Sequence, residues 1–289
     1  MDYIFNQFTE WIKNLLVDGI MNNMTGLFDN VNTKVTEIST QVGQTPQMWN
    51  ANIFNMIKNL SDNVILPIAG VILAIVMTLE LIQLIADRNN LHDVDTWMFF
   101  KWIFKTACAV LIVSHTWDLV MGVFDLAQNV ITRSSGIITG ALNIDLASHF
   151  ADLETRLQAM GIGELLGLWL QSFIVSITMW ALSICIFIIA YGRMIEIYLV
   201  TSVAPIPMST MVNHSWGQMG QNYLKSLFAL GFQGFLIMIC IAIYSVLIRT
   251  MVVDTNVSTA MWSCMGYTVL LCFTLFKTGS LAKSLFAAH

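Results

Sequence analysis

The residue types best suited to chemistry do not combine into an active site in this sequence. His92, Asp93 and Asp95 could be drawn as a metal site, but adjacent residues rarely chelate one ion, and a polar loop explains them more simply. His115 and Asp118 can share a helix face, yet spacing identifies no serine or cysteine nucleophile beside them. The phosphate-loop, zinc-helix and nucleophile-elbow motifs do not occur in the sequence. We therefore predict no catalytic residue, no metal ligand and no cofactor.

The composition indicates a membrane protein. Hydrophobic residues make up 56% of the 289-residue chain and charged residues 11%, with a mean hydropathy of +0.70. A soluble domain carries about 25% charged residues, so these charges are too few to cover a water-exposed surface. The net charge of −5 provides no basic surface for nucleic acid. The elements that must position any functional side chain are therefore membrane-spanning helices, and we predict an all-α, multi-pass fold.

Five stretches have the length of about 20 apolar residues that crosses the hydrocarbon core. They are residues 64–86, 102–121, 165–192, 226–248 and 255–276. Residues 197–224 are also uncharged, but Pro, Ser, Thr, Asn and Gly interrupt them, so a sixth span or a re-entrant segment is an open alternative there. We predict a transmembrane domain over residues 61–289 with five spans, or six.

Residues 1–60 are predicted to form an N-terminal, extracytoplasmic helical region. Apolar residues recur there every three or four positions, which is the helical period, in two successive runs: Phe5, Phe8, Ile12 and Leu15, and then Ile20, Met24, Leu27, Val31, Val35 and Ile38. The opposite face is neutral to acidic, whereas helices that lie on anionic lipid carry a basic face. The amphipathic pattern therefore favours packing against protein, either the chain's own core or neighbouring subunits. Residues 41–50, with Gly43 and Pro46, are predicted to be a linker.

Basic residues near the span ends predict the orientation of the chain. With the N-terminus outside, seven of them face the cytoplasm and four face outward. The two sets are Arg88, Lys101, Lys105, Arg193, Lys225, Lys277 and Lys283, and Lys58, Arg133, Arg156 and Arg249. We therefore predict an N-out, C-in chain with an outer loop at residues 122–163. A second amphipathic helix is predicted within that loop, with one face formed by Leu146, Phe150, Leu153 and Leu157.

Three charged residues lie where the predicted spans leave little room for charge. Glu80 is inside the first span, and Arg193 and Glu196 end the third. A charge at bilayer depth costs about 2.5 to 3.5 kcal/mol on insertion scales, so one that persists usually faces protein or water. One interpretation pairs Glu196 with Arg193 on one helix face and lets Glu80 reach the interface. The other is a contact between Glu80 and Arg193 that ties the first span to the third.

Pro205 and Pro207 interrupt the apolar helix that precedes them, because proline lacks an N–H and pushes the preceding residue out of helical geometry. Broken backbone at membrane depth survives only where it is buried in protein or lines water. The segment is therefore either a plain loop between two spans or a broken, re-entrant helix at a subunit contact or lumen.

The same region resembles the signature stretch of a known family. The TrbL/VirB6 proteins of conjugative type IV secretion systems, especially those of Gram-positive mobile elements, have a stretch similar to RMIEIYLVTSVAPIPM, which begins at Arg193. The runs GQNYLK from Gly220 and LGFQG from Leu230, which includes Gln233, resemble the next helix of that family. The hydropathy pattern is similar over about residues 60–280.

The resemblance implies an inner-membrane channel subunit of a bacterial conjugation system, which oligomerises and helps to pass a DNA–protein substrate across the membrane. The implied partners are further copies of the chain, other secretion subunits, separate ATPases, membrane lipid and single-stranded DNA with its relaxase. Six residues are then candidates for assembly and architecture rather than catalysis: Glu80, Arg193, Glu196, Pro205, Pro207 and Gln233.

Two other classes of function stay open. A stand-alone transporter or ion channel often shows inverted repeats with paired broken helices, whereas this sequence has one evident break and no matching half. A membrane enzyme would need a catalytic constellation that the sequence lacks.

Overall fold

The computed structural model describes residues 2–86, 96–142, 147–252 and 256–288, which are almost entirely helical and contain no strand. The chain forms two compact units. Unit 1 comprises Met1–Val42, Thr132–Tyr191 and Leu236–Lys277, and unit 2 comprises Gly43–Ile131, Gly192–Phe235 and Thr278–His289. The predicted all-α class is confirmed. The acidic segment around His92 lies outside the described residues.

In chain order the helices are α1 (Asp2–Val42), α2 (Pro46–Trp49), α3 (Ala51–Leu60), a π-helical turn (Ser61–Ile65), α4 (Leu66–Ala86), α5 (Thr96–Ser114), α6 (Thr116–Leu142), α7 (Ala147–Ala159), α8 (Ile162–Ser202), α9 (Pro205–Thr210), α10 (Gly217–Val252) and α11 (Val257–Leu285).

Within the described residues, five helices are long and apolar enough to cross a membrane. They are Ala51–Ala86, Thr96–Ser114, Ile162–Ser202, Gly217–Ile248 and Val257–Leu285. The prediction of five spans is confirmed in number, but the boundaries differ. The second span ends at Ser114 instead of residue 121, because a turn at His115 separates α5 from α6. There the Ser114 hydroxyl donates to the Leu111 carbonyl oxygen at 3.2 Å, a local bond of the kind that competes with the helical ladder.

The first span begins at Ala51 rather than at residue 64. The Asn50 side-chain oxygen accepts hydrogen bonds from the N–H groups of Asn52 and Ile53, which caps the start of α3. Pro67 does not open the helix, since the π-helical turn just before it accommodates the missing N–H. In that turn the Leu66 N–H donates to the carbonyl of Ser61, five residues earlier.

Residues 41–50 are not the plain linker that Gly43 and Pro46 predict. They contain α2, whose N-cap Thr45 accepts a bond from the Met48 N–H at 3.3 Å. Side chains of unit 2 hold this segment: the Gln128 amide donates to the Gly43 carbonyl at 3.0 Å, and the Tyr198 hydroxyl donates to the Pro46 carbonyl at 2.6 Å. Residues 43–50 are therefore fixed within unit 2.

In unit 1, α1 forms as predicted, but a single apolar face is not confirmed. Ile20, Met24 and Leu27 are buried, whereas Phe8 and Leu15 are exposed. The physical reason is the five-residue step from Leu15 to Ile20. At 3.6 residues per turn that step rotates the side chain by about 140°, so the first part of the apolar pattern lies on a different side from the second.

Residues 122–163, the predicted outer loop, are helical over most of their described length. The α6 helix continues to Leu142, and α7 packs against α1 in unit 1. Leu157 of α7 is buried and Leu153 is half-buried, as expected for one apolar face. Leu146 and the side chain of Phe150 lie outside the described residues.

Gly19 sits at the point where α1 meets α8 in unit 1. A Cβ atom at Gly19 would lie 2.7 Å from the Trp169 indole nitrogen, and nearby the Asn23 amide donates to the Ser172 hydroxyl at 2.9 Å. Leucine at this position would separate the two helices. We expect Gly19→Leu to expose the buried α1 residues and to speed proteolysis within residues 16–42. Gly26→Leu is the matched control, because a Cβ there meets nothing within 4 Å. Equal proteolysis of the two variants would contradict this packing.

Candidate functional site

The predicted break is present in unit 2, between the end of α8 at Ser202 and the start of α10 at Gly217. Pro205 cannot donate to the Thr201 carbonyl, and the Ala204 N–H donates to that oxygen instead, at 3.2 Å. Pro207 likewise cannot donate to the Val203 carbonyl, which accepts from the Ile206 N–H at 3.1 Å. Each carbonyl that a proline would leave without its helical donor is thus satisfied by the preceding residue.

Four hydroxyl groups line the break and are turned back onto the backbone. The Ser202 hydroxyl donates to the Leu199 carbonyl at 2.8 Å, and the Ser209 hydroxyl donates to the Ile206 carbonyl at 2.6 Å. Thr201 and Thr210 make the same type of bond, and all four side chains are buried. The broken segment therefore carries its own acceptors and donors, as irregular backbone in an apolar environment requires.

Two glycines of α10 allow it to approach α9 at backbone distance. A Cβ atom at Gly220 would lie 2.6 Å from the Pro207 carbonyl oxygen and 2.6 Å from Met211 Cβ. At Gly217 it would lie 2.8 Å from the Met211 carbonyl oxygen. The α9–α10 hairpin is therefore closed by backbone contacts that any larger residue would disrupt.

The α9 segment and the turn after it pack against α4 and α5. Val212 lies on a buried cluster formed by Ala69, Leu73, Met77, Ala109 and Val113. The same pair of helices is joined by the Trp102 indole N–H, which donates to the Met77 carbonyl at 3.1 Å. Since α4 and α5 are both candidate spans, the segment lies against apolar helices and not in an exposed loop. The re-entrant alternative is the one that this geometry favours.

Glu80 anchors the turn after α9 through a small polar cluster. One carboxylate oxygen accepts a hydrogen bond from the Lys105 ammonium on α5, and the other accepts from the Asn213 amide at 3.1 Å. The Asn213 side-chain oxygen in turn accepts from the N–H groups of Ser215 and Trp216, at 2.8 and 2.9 Å. Glu80 and Asn213 are largely shielded from solvent. The cluster thus ties α4, α5 and the turn together.

The predicted contact between Glu80 and Arg193 is wrong. Glu80 is paired with Lys105 of the next span along the chain, and Arg193 is bonded to α10. The physical reason is local: Glu80 lies on the α4 face that meets α5, where a basic residue is available nearer in sequence. The alternative in which Glu80 reaches the interface alone is not observed either, since its carboxylate has two protein partners.

Arg193 is enclosed between α8 and α10 of unit 2, with 6% of its surface exposed. Its guanidinium donates to the Leu230 carbonyl at 3.4 Å and occupies space that Gly234 leaves open, because a Cβ there would lie 2.7 Å from the Arg193 Nη2 atom. Its Nε atom has no hydrogen-bond partner among the described residues. A buried cation with one unmet donor is costly, so its position depends on close packing against α10.

Glu196 and Gln233 complete the predicted set, but neither bonds to Arg193. Glu196 pairs with Lys283 of α11 at 3.3 Å, and both side chains are exposed, so the pair contributes little stability. The Gln233 amide donates to the Thr278 hydroxyl of α11 at 3.5 Å. The six predicted residues thus do not form one site. Glu80 and the prolines lie near the turn after α9, Arg193 packs against α10, and Glu196 and Gln233 bond to α11.

Sequence reasoning missed Lys105, Asn213 and Gly220 as members of this site. Lys105 is a charged residue inside a predicted span, and Glu80 is a residue of opposite charge inside the preceding span. Two such charges in neighbouring spans are a signal for an ion pair. Asn213 was one polar residue among many in its segment. Gly220 lies in the run that resembles the family, but its close approach to Pro207 depends on the hairpin, which the sequence does not specify.

The side chains of the site bond to one another and to carbonyl groups, so the arrangement is suited to holding a broken helix. The family model for TrbL/VirB6 plasmid conjugal transfer like protein matches residues 31–205, more than half of the chain. No curated protein and no solved structure matches. The matched region includes Glu80, Lys105 and Arg193, and it ends at the first proline of the break. The chain therefore belongs to the TrbL/VirB6-like family of plasmid conjugal transfer proteins, as a multi-pass membrane component of a conjugal transfer type IV secretion system.

Proposed function

We propose that the chain is a channel or scaffold subunit of the conjugation machine, which oligomerises and helps to pass a DNA–protein substrate across the membrane. The observation that carries this proposal is the buried, internally bonded break at α9, packed against two candidate spans. If α4 and α5 cross the bilayer, this irregular backbone lies at membrane depth, where it persists only when protein encloses it or water reaches it. Such a segment suits a rigid subunit of an assembly.

Several copies would be needed for a conducting path. Five candidate spans with few charges do not enclose a wide aqueous pore from one chain, whereas a ring of copies can. The candidate spans expose large apolar side chains that lipid or a neighbouring copy would cover, for example Trp180, Phe187 and Phe273. The predicted assembly residues would then act by fixing the internal structure of each copy, and not by touching the substrate.

The location and partners follow from the same proposal. An N-out, C-in chain in the bacterial cytoplasmic membrane would present the N-terminal region to partners outside the membrane. The energy would come from separate ATPases, and the other secretion subunits and the relaxase with its single-stranded DNA would be the partners.

The proposal is tested by the DNA transfer frequency of a donor that lacks this gene, with and without the gene supplied in trans. We expect transfer to be lost in the deletion strain and restored by complementation. Unchanged transfer in the deletion strain would overturn the proposal, and solute-flux measurements on the purified protein would then test the transporter alternative.

The break itself is tested by complementing with Pro205→Ala combined with Pro207→Ala. Without the prolines α8 can extend through residues 203–207, which would remove the turn that directs α9 towards α4 and α5. We expect normal amounts of protein in the membrane fraction but transfer lowered by at least about tenfold, the effect of about 1.4 kcal/mol of lost assembly energy. Ile206→Leu is the control within the same segment. Normal transfer by the double variant would discard a functional role for the break.

A further inference from the structure

The first four turns of α1 carry an apolar stripe that the chain itself leaves uncovered. Four large apolar side chains along it are more than half exposed: Ile4 at 73%, Phe8 at 57%, Trp11 at 58% and Leu15 at 55%. Burial begins immediately afterwards, with Leu16 and Val17. This part of α1 is outside the five candidate spans, so an apolar stripe here is not explained by a helix that crosses the lipid.

The spacing of the four residues is that of a coiled-coil seam. Steps of four, three and four residues separate Ile4, Phe8, Trp11 and Leu15, and this alternation corresponds to successive d, a, d and a positions of a heptad. Asp18, the next d position, is charged and exposed, so the seam ends where α1 becomes anchored in unit 1.

The residues that flank the seam suit self-association. Positions e and g beside it are occupied by the uncharged residues Phe5, Gln7, Ile12 and Asn14, while Glu10 and Lys13 fall at the outward c and f positions. Coiled coils that select a different partner use charges at e and g, and identical chains with like charges there would repel. This seam has neither feature, so an identical helix in parallel register meets no electrostatic penalty.

We propose that this seam, defined as Ile4, Phe8, Trp11 and Leu15, docks against the same seam of a second copy of the chain. A lipid surface is the less suitable occupant, since an interfacial helix carries a basic polar face and here Glu10 and Asp18 outweigh Lys13. The seam is shorter than the three or four heptads of a self-sufficient coiled coil. It therefore acts between copies that the rest of the chain already holds together, and in that respect it rests on the oligomer in the proposed function.

The test is oxidative crosslinking of the full chain in membranes of donor cells. Phe8→Cys puts a thiol at an a position, where two copies in parallel register bring the same residue together. Glu10→Cys puts it two residues away on the outward face of the same exposed turn, and the unchanged chain reports any crosslinking by its native cysteines. We expect disulfide-linked dimer from Phe8→Cys at about tenfold the yield from Glu10→Cys, because the docked seam raises the local thiol concentration.

Equal yields from the two variants, or no dimer from Phe8→Cys although both variants are present in the membrane in equal amounts, would overturn the proposal. A seam occupied by lipid or by a different protein gives the second of these results. The transfer assay on the deletion strain separates the two proposals. If complementation restores transfer but Phe8→Cys gives no position-specific crosslink, only the proposal about the seam is refuted. If Phe8→Cys gives a specific crosslink but the chain is dispensable for transfer, only the proposed function is refuted.

Discussion

Glu80→Lys and Lys105→Glu are each expected to reduce the amount of folded protein sharply, and the two changes together are expected to recover most of it. Either single reversal places two like charges side by side in the polar cluster between α4 and α5. A charge left without its partner in a span costs about 3 kcal/mol on insertion scales. The measurement is the yield of monodisperse protein extracted from membranes, together with transfer frequency.

Recovery by the double variant should be incomplete, because Asn213 donates to Glu80 in the native arrangement. A lysine at position 80 cannot accept that bond, and the Asn213 side-chain oxygen is already occupied by the turn. Glu80→Gln separates the two contributions, since it removes the charge but keeps an acceptor for the Asn213 amide. We expect it to be milder than Glu80→Lys.

The decisive control is a second charge exchange, Glu80→Arg with Arg193→Glu. The sequence suggested a pair between these two positions, but Arg193 is enclosed against Leu230 and Gly234 instead. The double variant of this exchange should therefore give no more folded protein than the worse of its two single variants. Rescue by the Arg193 exchange, and none by the Lys105 exchange, would show that the pairing described here is wrong.

The sequence was sufficient to predict the helical class, the spans and the break, but not the partner of Glu80. Hydropathy alone gave the all-α class and the five spans, because length and apolarity are nearly all that a span requires. It also located the break, since Pro205 and Pro207 exclude a continuous helix whatever surrounds them. Which span Glu80 faces depends on helix rotation and neighbour order, and no periodicity in a uniformly apolar helix reports that rotation.

The predicted boundaries of the spans were wrong for a related reason. The first span starts at Ala51 because an Asn50 cap and a π-helical turn extend it through Pro67, and both are local hydrogen-bond arrangements. A proline in an apolar run indicates an interruption but not its kind. At Pro67 the helix continues with one displaced bond, whereas at Pro205 it ends and a new short helix begins. The difference lies in the second proline and in the buried hydroxyl groups on either side of the two prolines, which bond to backbone carbonyls.

Gly220→Ala is expected to destabilise the protein although it adds a single methyl group. The Cβ atom would lie 2.6 Å from the Pro207 carbonyl oxygen and 2.8 Å from Met211 Cα, and these backbone atoms cannot turn away as the end of a flexible side chain can. Overpacking of this kind costs about 1–3 kcal/mol. For a chain of this size that corresponds to a fall in Tm of roughly 2–5 °C, measured by tryptophan fluorescence of the purified protein.

The same substitution at Gly70 is the matched control for this effect. Gly70 lies in α4 of the same unit, and a Cβ there meets nothing within 4 Å. Alanine is favoured over glycine inside a helix by about 1 kcal/mol, so Gly70→Ala should leave Tm unchanged or raise it slightly. A Gly220→Ala protein as stable as Gly70→Ala would mean that α10 does not approach Pro207 at backbone distance. The hairpin that holds α9 against α4 and α5 would then have to be closed in some other way, and the buried break would lose its main structural support.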